Sequence, residues 1–284
     1  MRNMWTFAGA WLPALLLAGG ILRAEVVISK ATRDADGVLT HRIECELQAA
    51  PTELRVLLPR EAAGEATRAV KKWPVVYLLP VEPGRESRFG DGMRTAVEMD
   101  AANRFGVVIV QPTFAALPWY ADHPTDRTMA QESYFIDVVV PLVERTYPAL
   151  AEPRGRLLVG FSKSGWGAWS LLLRHPDKFG KAASWDAPLT MTWPSKYGSQ
   201  PIFGTEENFE QYRITKLLDD RAEQLTVSSR LILLGHGNFT DHGPIHEQLE
   251  CLRIPHVYRP GPKTPHVWGK AWLRPAFEAV LSDD

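Results

Sequence analysis

Cysteine is scarce in this chain: Cys45 and Cys251 are the only two in 284 residues. A disulfide framework is thereby excluded as the source of stability. The two lie far apart in sequence, and either a bridge or a pair of thiols is compatible with that spacing. Neither has the partners of a cysteine nucleophile nearby, so thiol chemistry is not expected.

An excess of charge of one sign is lacking too. Thirty-two Lys and Arg face 33 Asp and Glu, for a formal charge of −1, and no basic block is longer than Lys71-Lys72. The electrostatic footprint of a nucleic-acid or anionic-membrane binder is absent. A small or uncharged substrate fits this balance better, and oligomeric state is left open.

Long apolar runs are missing beyond the N-terminus. There, Arg2 precedes an apolar stretch that reaches small residues before Glu25. This is the layout of a secretory signal peptide over residues 1–24, with cleavage after Ala24. A membrane anchor is the alternative, but Trp11 to Leu22 falls short of the roughly 20 apolar residues a span requires. An exported protein without a membrane span is expected, with residues 25–284 forming one α/β domain. No internal repeat, low-complexity tract or interdomain linker interrupts it.

Two β-rich runs, residues 41–48 and 53–59, are separated by Ala-Ala-Pro-Thr and predict an antiparallel hairpin. The apolar run at 74–80 predicts a strand covered on both faces. Thereafter the pattern alternates. Helical segments at 92–103, 131–147, 164–175, 206–219, 243–252 and 267–281 are interleaved with strands at 106–112, 156–162, 181–187, 230–236 and 255–260. Such alternation implies right-handed crossovers, a mostly parallel mixed sheet with an antiparallel N-terminal edge, and helices on both faces. Two long loops, 81–91 and 113–130, follow apolar strands at the sheet edge where open α/β folds bind ligands.

The strongest chemical signal is Gly160-Phe161-Ser162-Lys163-Ser164-Gly165, between a strand and a helix. A nucleophile held in a sharp strand-to-helix turn needs small residues two positions before and after it, and Gly160 and Ser164 supply them around Ser162. The Lys163 amide at the helix start then offers one oxyanion donor, assisted by the helix dipole. A serine hydroxyl needs a base, and His266 stands before the last helix where a triad histidine is expected. For the acid, Asp241 after the strand at 230–236 is the first choice, and Asp186 after the strand at 181–187 the alternative. Asp241 could equally cap the helix that starts at Gly243-Pro244. His236, His242 and His246, with Asp241 between them, match no trusted metal signature, so no metal is expected.

At this point the sequence resembles a known family: the esterases of the α/β-hydrolase superfamily, including S-formylglutathione hydrolase (esterase D), feruloyl esterases, enterochelin esterases and mycolyltransferases. The resemblance rests on the hairpin followed by Pro74 to Leu79, on Trp119-Tyr120 leading into the helix ending Val139 to Glu144, on the elbow through Trp166, Gly167 and Ala168, and on Pro265-His266-Val267-Trp268. It implies the α/β-hydrolase fold and an ester or thioester hydrolase, or acyltransferase, working without a cofactor. Two departures stand out. The usual Ser-x-Gly-Gly is here Ser162-Lys163-Ser164-Gly165, and the loop after residue 80 lacks a His-Gly pair. The second oxyanion donor is then the amide of Val81 or Glu82.

The expected reaction is hydrolysis of carboxylic esters, acyl or feruloyl esters of carbohydrates among them, by Ser162, His266 and Asp241 through an acyl-enzyme. Trp119, Tyr120, Trp166 and Trp193 are candidate aromatic walls for the substrate, with core packing as the competing role. A prolyl-oligopeptidase-like peptidase and a catalytically silent binding module of the same fold are the rival readings.

Overall fold

The computed structural model describes residues 26–63, 71–85, 88–236 and 242–282. The expected signal segment 1–24 and Asp241 lie outside the described residues. The strands form a single mixed sheet. Its short edge strands β1 (Val27–Ile28) and β2 (Thr32–Arg33) pair with β3 (Leu39–Glu44). Strand β3 pairs antiparallel with β4 (Thr52–Leu57), as the hairpin pattern predicts.

The remaining strands are β5 (Val75–Leu78), β6 (Val108–Pro112), β7 (Arg156–Phe161), β8 (Lys181–Trp185), β9 (Leu231–His236) and β10 (His256–Lys263). Their spatial order is β4-β6-β5-β7-β8-β9-β10, with β4 and β6 antiparallel and every later pair parallel. Thus β6 inserts between the hairpin and β5, although β5 follows the hairpin in sequence. The chain leaves β5 in one direction and returns to β7 on its other side. That reversal opens a crevice at the carboxyl ends of β5 and β7, the place where open α/β sheets bind ligands.

The unbroken apolar run of β5 is explained by cover on both faces. Val75, Tyr77 and Leu79 join one core cluster, and Val76 and Leu78 the other. In β7, Leu158 faces the first cluster, while Leu157, Val159 and Phe161 face the second. The second cluster is closed by α1 (Gly92–Glu98), α2 (Ala101–Phe105) and the C-terminal helix. Full burial of each such aliphatic side chain stabilises the fold by roughly 1.5–3 kcal/mol.

Several helices are more broken than the periodicity predicts. The segment 92–103 divides where Asp100 takes a left-handed backbone, φ 50°. The segment 131–147 divides into α3 (Gln131–Ser133), a π-helical turn (Tyr134–Val139) and α4 (Val140–Thr146). Pro141 has no amide hydrogen to continue the α-helical ladder, and the wider turn precedes it. Beyond β7 comes α5 (Ser162–Arg174); after β8 follow α6 (Gln200–Phe203), α7 (Glu206–Glu210) and α8 (Ile214–Arg221). The single helix expected over 206–219 is therefore two. The last two helices are α9 (Gly243–Cys251) and α10 (Lys270–Val280). Cys45 and Cys251 are both free thiols. Among the described residues, no helix is long and apolar enough to cross a membrane.

The C-terminal end of α5 is anchored by a buried carboxylate. Glu132 accepts from Arg174 Nε at 2.7 Å, from His175 Nε2 at 2.7 Å and from the Tyr212 hydroxyl at 2.9 Å. Burial alone would raise its pKa, but His175 and Arg174 outweigh burial and hold it below the ordinary 4.5. A depressed carboxylate stabilises the fold fully above its unfolded value, and that stability is lost as pH falls through the folded one. Glu132→Gln should cost about 2–3 kcal/mol at neutral pH, below the range for a fully buried pair because Arg174 keeps some solvent contact. Urea denaturation between pH 3 and 7 should show the deficit shrinking below about pH 4.5. A deficit independent of pH would mean that the carboxylate is not the charged anchor described.

Candidate active site

The site starts from a backbone constraint. Phe161 is extended (φ −136°), and Ser162, the next residue, turns left-handed at φ 52°. L residues adopt that region at a cost of order 1–3 kcal/mol, so its neighbours must enforce it. Gly160 is one of them: a Cβ there would lie 2.3 Å from the Ser164 carbonyl oxygen. Ser164 does more than stay small. Its buried hydroxyl accepts from the Phe161 amide at 3.0 Å and donates to the Phe161 carbonyl at 2.9 Å, closing the turn.

Strand register then places Asp186. Phe161 is the Cα partner of Trp185 across β7 and β8, so the residues that follow, Ser162 and Asp186, leave the sheet edge side by side. Asp186 is also left-handed, at φ 43°. A Cβ on Gly165 would meet Ser184 Oγ at 2.6 Å and Ala187 Cβ at 2.9 Å, so the first turn of α5 lies directly on this edge. His242 fastens the segment from the other side, its Nε2 accepting from the Ala187 amide at 3.3 Å.

His266 Nδ1–H donates to Asp186 Oδ2 at 2.5 Å; the Asp186 side chain is fully buried and that of His266 is 9% exposed. A proton fixed on Nδ1 leaves Nε2 as the basic nitrogen. Aromatic edges hold the imidazole in place: Phe89 and Phe161 meet it edge-on at 5.4 and 5.1 Å, and Trp185 lies at 6.0 Å. The loop bearing Phe89 is itself tied down, since the Trp268 amide donates to the Phe89 carbonyl at 2.7 Å. A Cβ on Gly92 would come within 2.9 Å of the Trp268 ring, so the two loops close directly on each other.

These groups open onto one cavity of about 220 Å³, lined by Ser162, Lys163, Asp186 and His266 with Arg88, Phe89, Pro188 and Tyr197. The Lys163 amide belongs to the first turn of α5, whose N–H groups have no partner within the helix. The Lys163 ammonium donates to Glu82 Oε1 at 2.9 Å, tying the loop after β5 to the residue after the serine. Val81, in that loop, is buried.

The carboxylate seen hydrogen-bonded to His266 is Asp186, the alternative acid; Asp241, the first choice, lies outside the described residues. The signal for Asp186 was its place directly after the strand adjoining that of the serine. The proposed aromatic walls need correction. Trp119, Tyr120 and Trp166 are fully buried and belong to the core cluster, so they do not line the cavity. Gln131 Oε1 accepts from the amides of Trp119 and Tyr120, folding their loop inward, and the Tyr120 hydroxyl donates to the Pro80 carbonyl at 2.6 Å. The bare face of Gly167 receives the Tyr120 ring, where a Cβ would stand 2.0 Å from it. Trp193 is exposed but is not among the cavity's lining residues. Arg88 and Phe89 lie in the loop 81–91 that the sequence marks at the ligand-binding edge, whereas Pro188 and Tyr197 carried no such signal.

Sheet order, elbow and hydrogen-bonded His–Asp pair at the switch point define an α/β-hydrolase. Residues 49–251 match the model of the Esterase family, described as "Putative esterase", and the chain belongs to that family of carboxylesterase-type hydrolases. Solved structures agree in fold. A ferulic acid esterase is 19% identical, covers 89% of this chain and 97% of its own, and superposes with a TM-score of 0.65. The fluorophosphonate-binding serine hydrolase F of Staphylococcus aureus gives 17%, 92%, 99% and 0.67 for the same quantities. An S-formylglutathione hydrolase from Agrobacterium tumefaciens gives 16%, 89%, 99% and 0.67. No curated protein matches the chain.

Gly160→Ala should push the Ser164 carbonyl away and relax the turn. The expected cost is about 1–3 kcal/mol, as for other overpacked sites, read as a melting temperature lowered by several degrees. An unchanged melting temperature would show that the turn tolerates a Cβ there.

Proposed function

We propose that the protein is an exported serine esterase that cleaves carboxylic esters through Ser162, His266 and Asp186. The observation that carries this reading is the His266–Asp186 hydrogen bond on a cavity shared with a left-handed Ser162. His266 Nε2 takes the Ser162 proton as Oγ attacks the ester carbonyl, and Asp186 balances the imidazolium that forms. The oxyanion is met by the Lys163 amide and by a second amide from Val81 or Glu82. As the intermediate collapses, the imidazolium gives its proton to the leaving alkoxide. Water, deprotonated by the same imidazole, then attacks the acyl-enzyme and frees the acid and Ser162.

The cavity speaks to substrate size. At about 220 Å³ it is smaller than the roughly 300–1,000 Å³ pockets of drug-sized ligands. It suits a compact acyl group, with the alcohol part left toward solvent. Phe89, Pro188 and Tyr197 give it apolar walls. Short acyl or feruloyl esters of carbohydrates remain the substrate class we favour, with the aromatic contacts supplied by Phe89 and Tyr197 and not by the buried tryptophans.

Hydrolysis of short p-nitrophenyl esters should be measurable and should disappear in Ser162→Ala. Asp186→Asn should lower kcat by several orders of magnitude, toward the ~10⁴-fold typical of losing the triad carboxylate, while Asp241→Asn stays within a few-fold of the parent. The opposite pattern would return the acid role to Asp241. A fluorophosphonate probe that leaves Ser162 unlabelled would favour a silent binding module instead. Export is checked by the mass of the protein recovered outside the cytoplasm, which should begin at Glu25; a full-length chain retained inside would refute it.

A further inference from the structure

At the end of the sheet opposite the active site, two histidines and a glutamate converge. His246 and Glu250 stand one turn apart on α9, and His256 opens β10. His256 is the register partner of Leu231, the first residue of β9, whereas the elbow follows the last residue of β7. The nearest His246 and His256 nitrogens, Nδ1 and Nε2, face each other at 2.8 Å, and Glu250 Oε1 lies 3.7 Å from the same His256 Nε2. One ligand atom from each of the three residues lies within 4.8 Å of the others.

The second ring nitrogen of His256 decides what the first presents. Its Nδ1 is 2.8 Å from the Ile254 carbonyl, which can only accept, so Nδ1 carries the proton and Nε2 points a lone pair at His246. A backbone carbonyl fixing the tautomer in this way is the usual support of a metal-ligating imidazole. The His246 ring is held in turn by Tyr258, stacked on it at 4.1 Å. In a tetrahedral site with bonds near 2.0–2.2 Å, donor atoms stand about 3.3 Å apart, so the imidazoles need separate by only about 0.5 Å. Glu250 is largely exposed, and its side chain can swing in while leaving an entry path from solvent.

We infer that His246, Glu250 and His256 form a binding site for a zinc-class divalent cation, with water as the fourth ligand. Imidazole and carboxylate suit that class of ion. On binding, the proton that His246 holds toward His256 moves to His246 Nε2, and both facing nitrogens become donors to the ion. The bound ion fastens α9 to β10, the strand that leads to His266, and acts as a structural clamp. This inference does not depend on the esterase reading.

The test uses the untagged chain, stripped with a chelator and titrated with Co²⁺. One equivalent should bind, with the visible absorption of a four- or five-coordinate ion, and Zn²⁺ should displace it and raise the melting temperature. His256→Ala and the milder His246→Gln should abolish the absorption, while Glu250→Gln should weaken binding by at least about 10-fold. Each variant is first shown to melt cooperatively without metal, so that loss of binding is not loss of fold. His266→Ala should keep the spectrum; its disappearance there would move the ion to the active site and overturn the inference. Binding that survives both histidine variants, or no stoichiometric binding by the parent chain, would overturn it equally.

Discussion

Everything at the active edge depends on one unfavourable backbone conformation, the left-handed turn at Ser162. The chain holds it with a missing Cβ at Gly160, a hydroxyl at Ser164 that grips both polar backbone groups of Phe161, and the start of a buried helix. The cost of the turn falls on the same few residues that bring Ser162 and Lys163 to the cavity. Strain and function occupy the same place here because packing leaves the backbone no alternative.

Phe161 links this turn to the rest of the site. Its ring contacts His266, Trp268, Trp185 and Trp272 at centroid distances of 5.1–5.5 Å. The residue before the serine therefore packs against both the histidine loop and the strand that ends at Asp186. Trp185 and Trp272 stack at 5.1 Å, joining β8 to the last helix. Apolar ring contacts surround the histidine, and the buried Asp186 carboxylate accepts from it.

The fold was legible wherever burial imposes a period. The hairpin, the doubly covered β5 and the strand–helix alternation appear in the sequence because each is a direct imprint of which face meets the core. The elbow was legible because a sterically crowded turn restricts residue size at fixed spacing. What was not legible depended on the third dimension. That Asp186 reaches His266 follows from the register of β8 against β7, which no local pattern displays. Trp119 and Tyr120 look like a binding wall in a long loop, yet Gln131 and the bare face of Gly167 turn them inward. His256 sits in a strand with no metal signature, and only folding brings it to His246.

The loop after β5, the elbow, Asp186 and His266 come from four separated parts of the chain, and His266 contacts Asp186 across 80 residues of sequence. Its consequence is one of timing. While the polypeptide is being made, residue 162 precedes residue 266 by more than a third of the chain, so the proposed nucleophile is synthesised well before its proposed base. With the triad proposed above, the site is complete only when the final strand and helix have docked, so an unfinished chain would carry Ser162 without its partners.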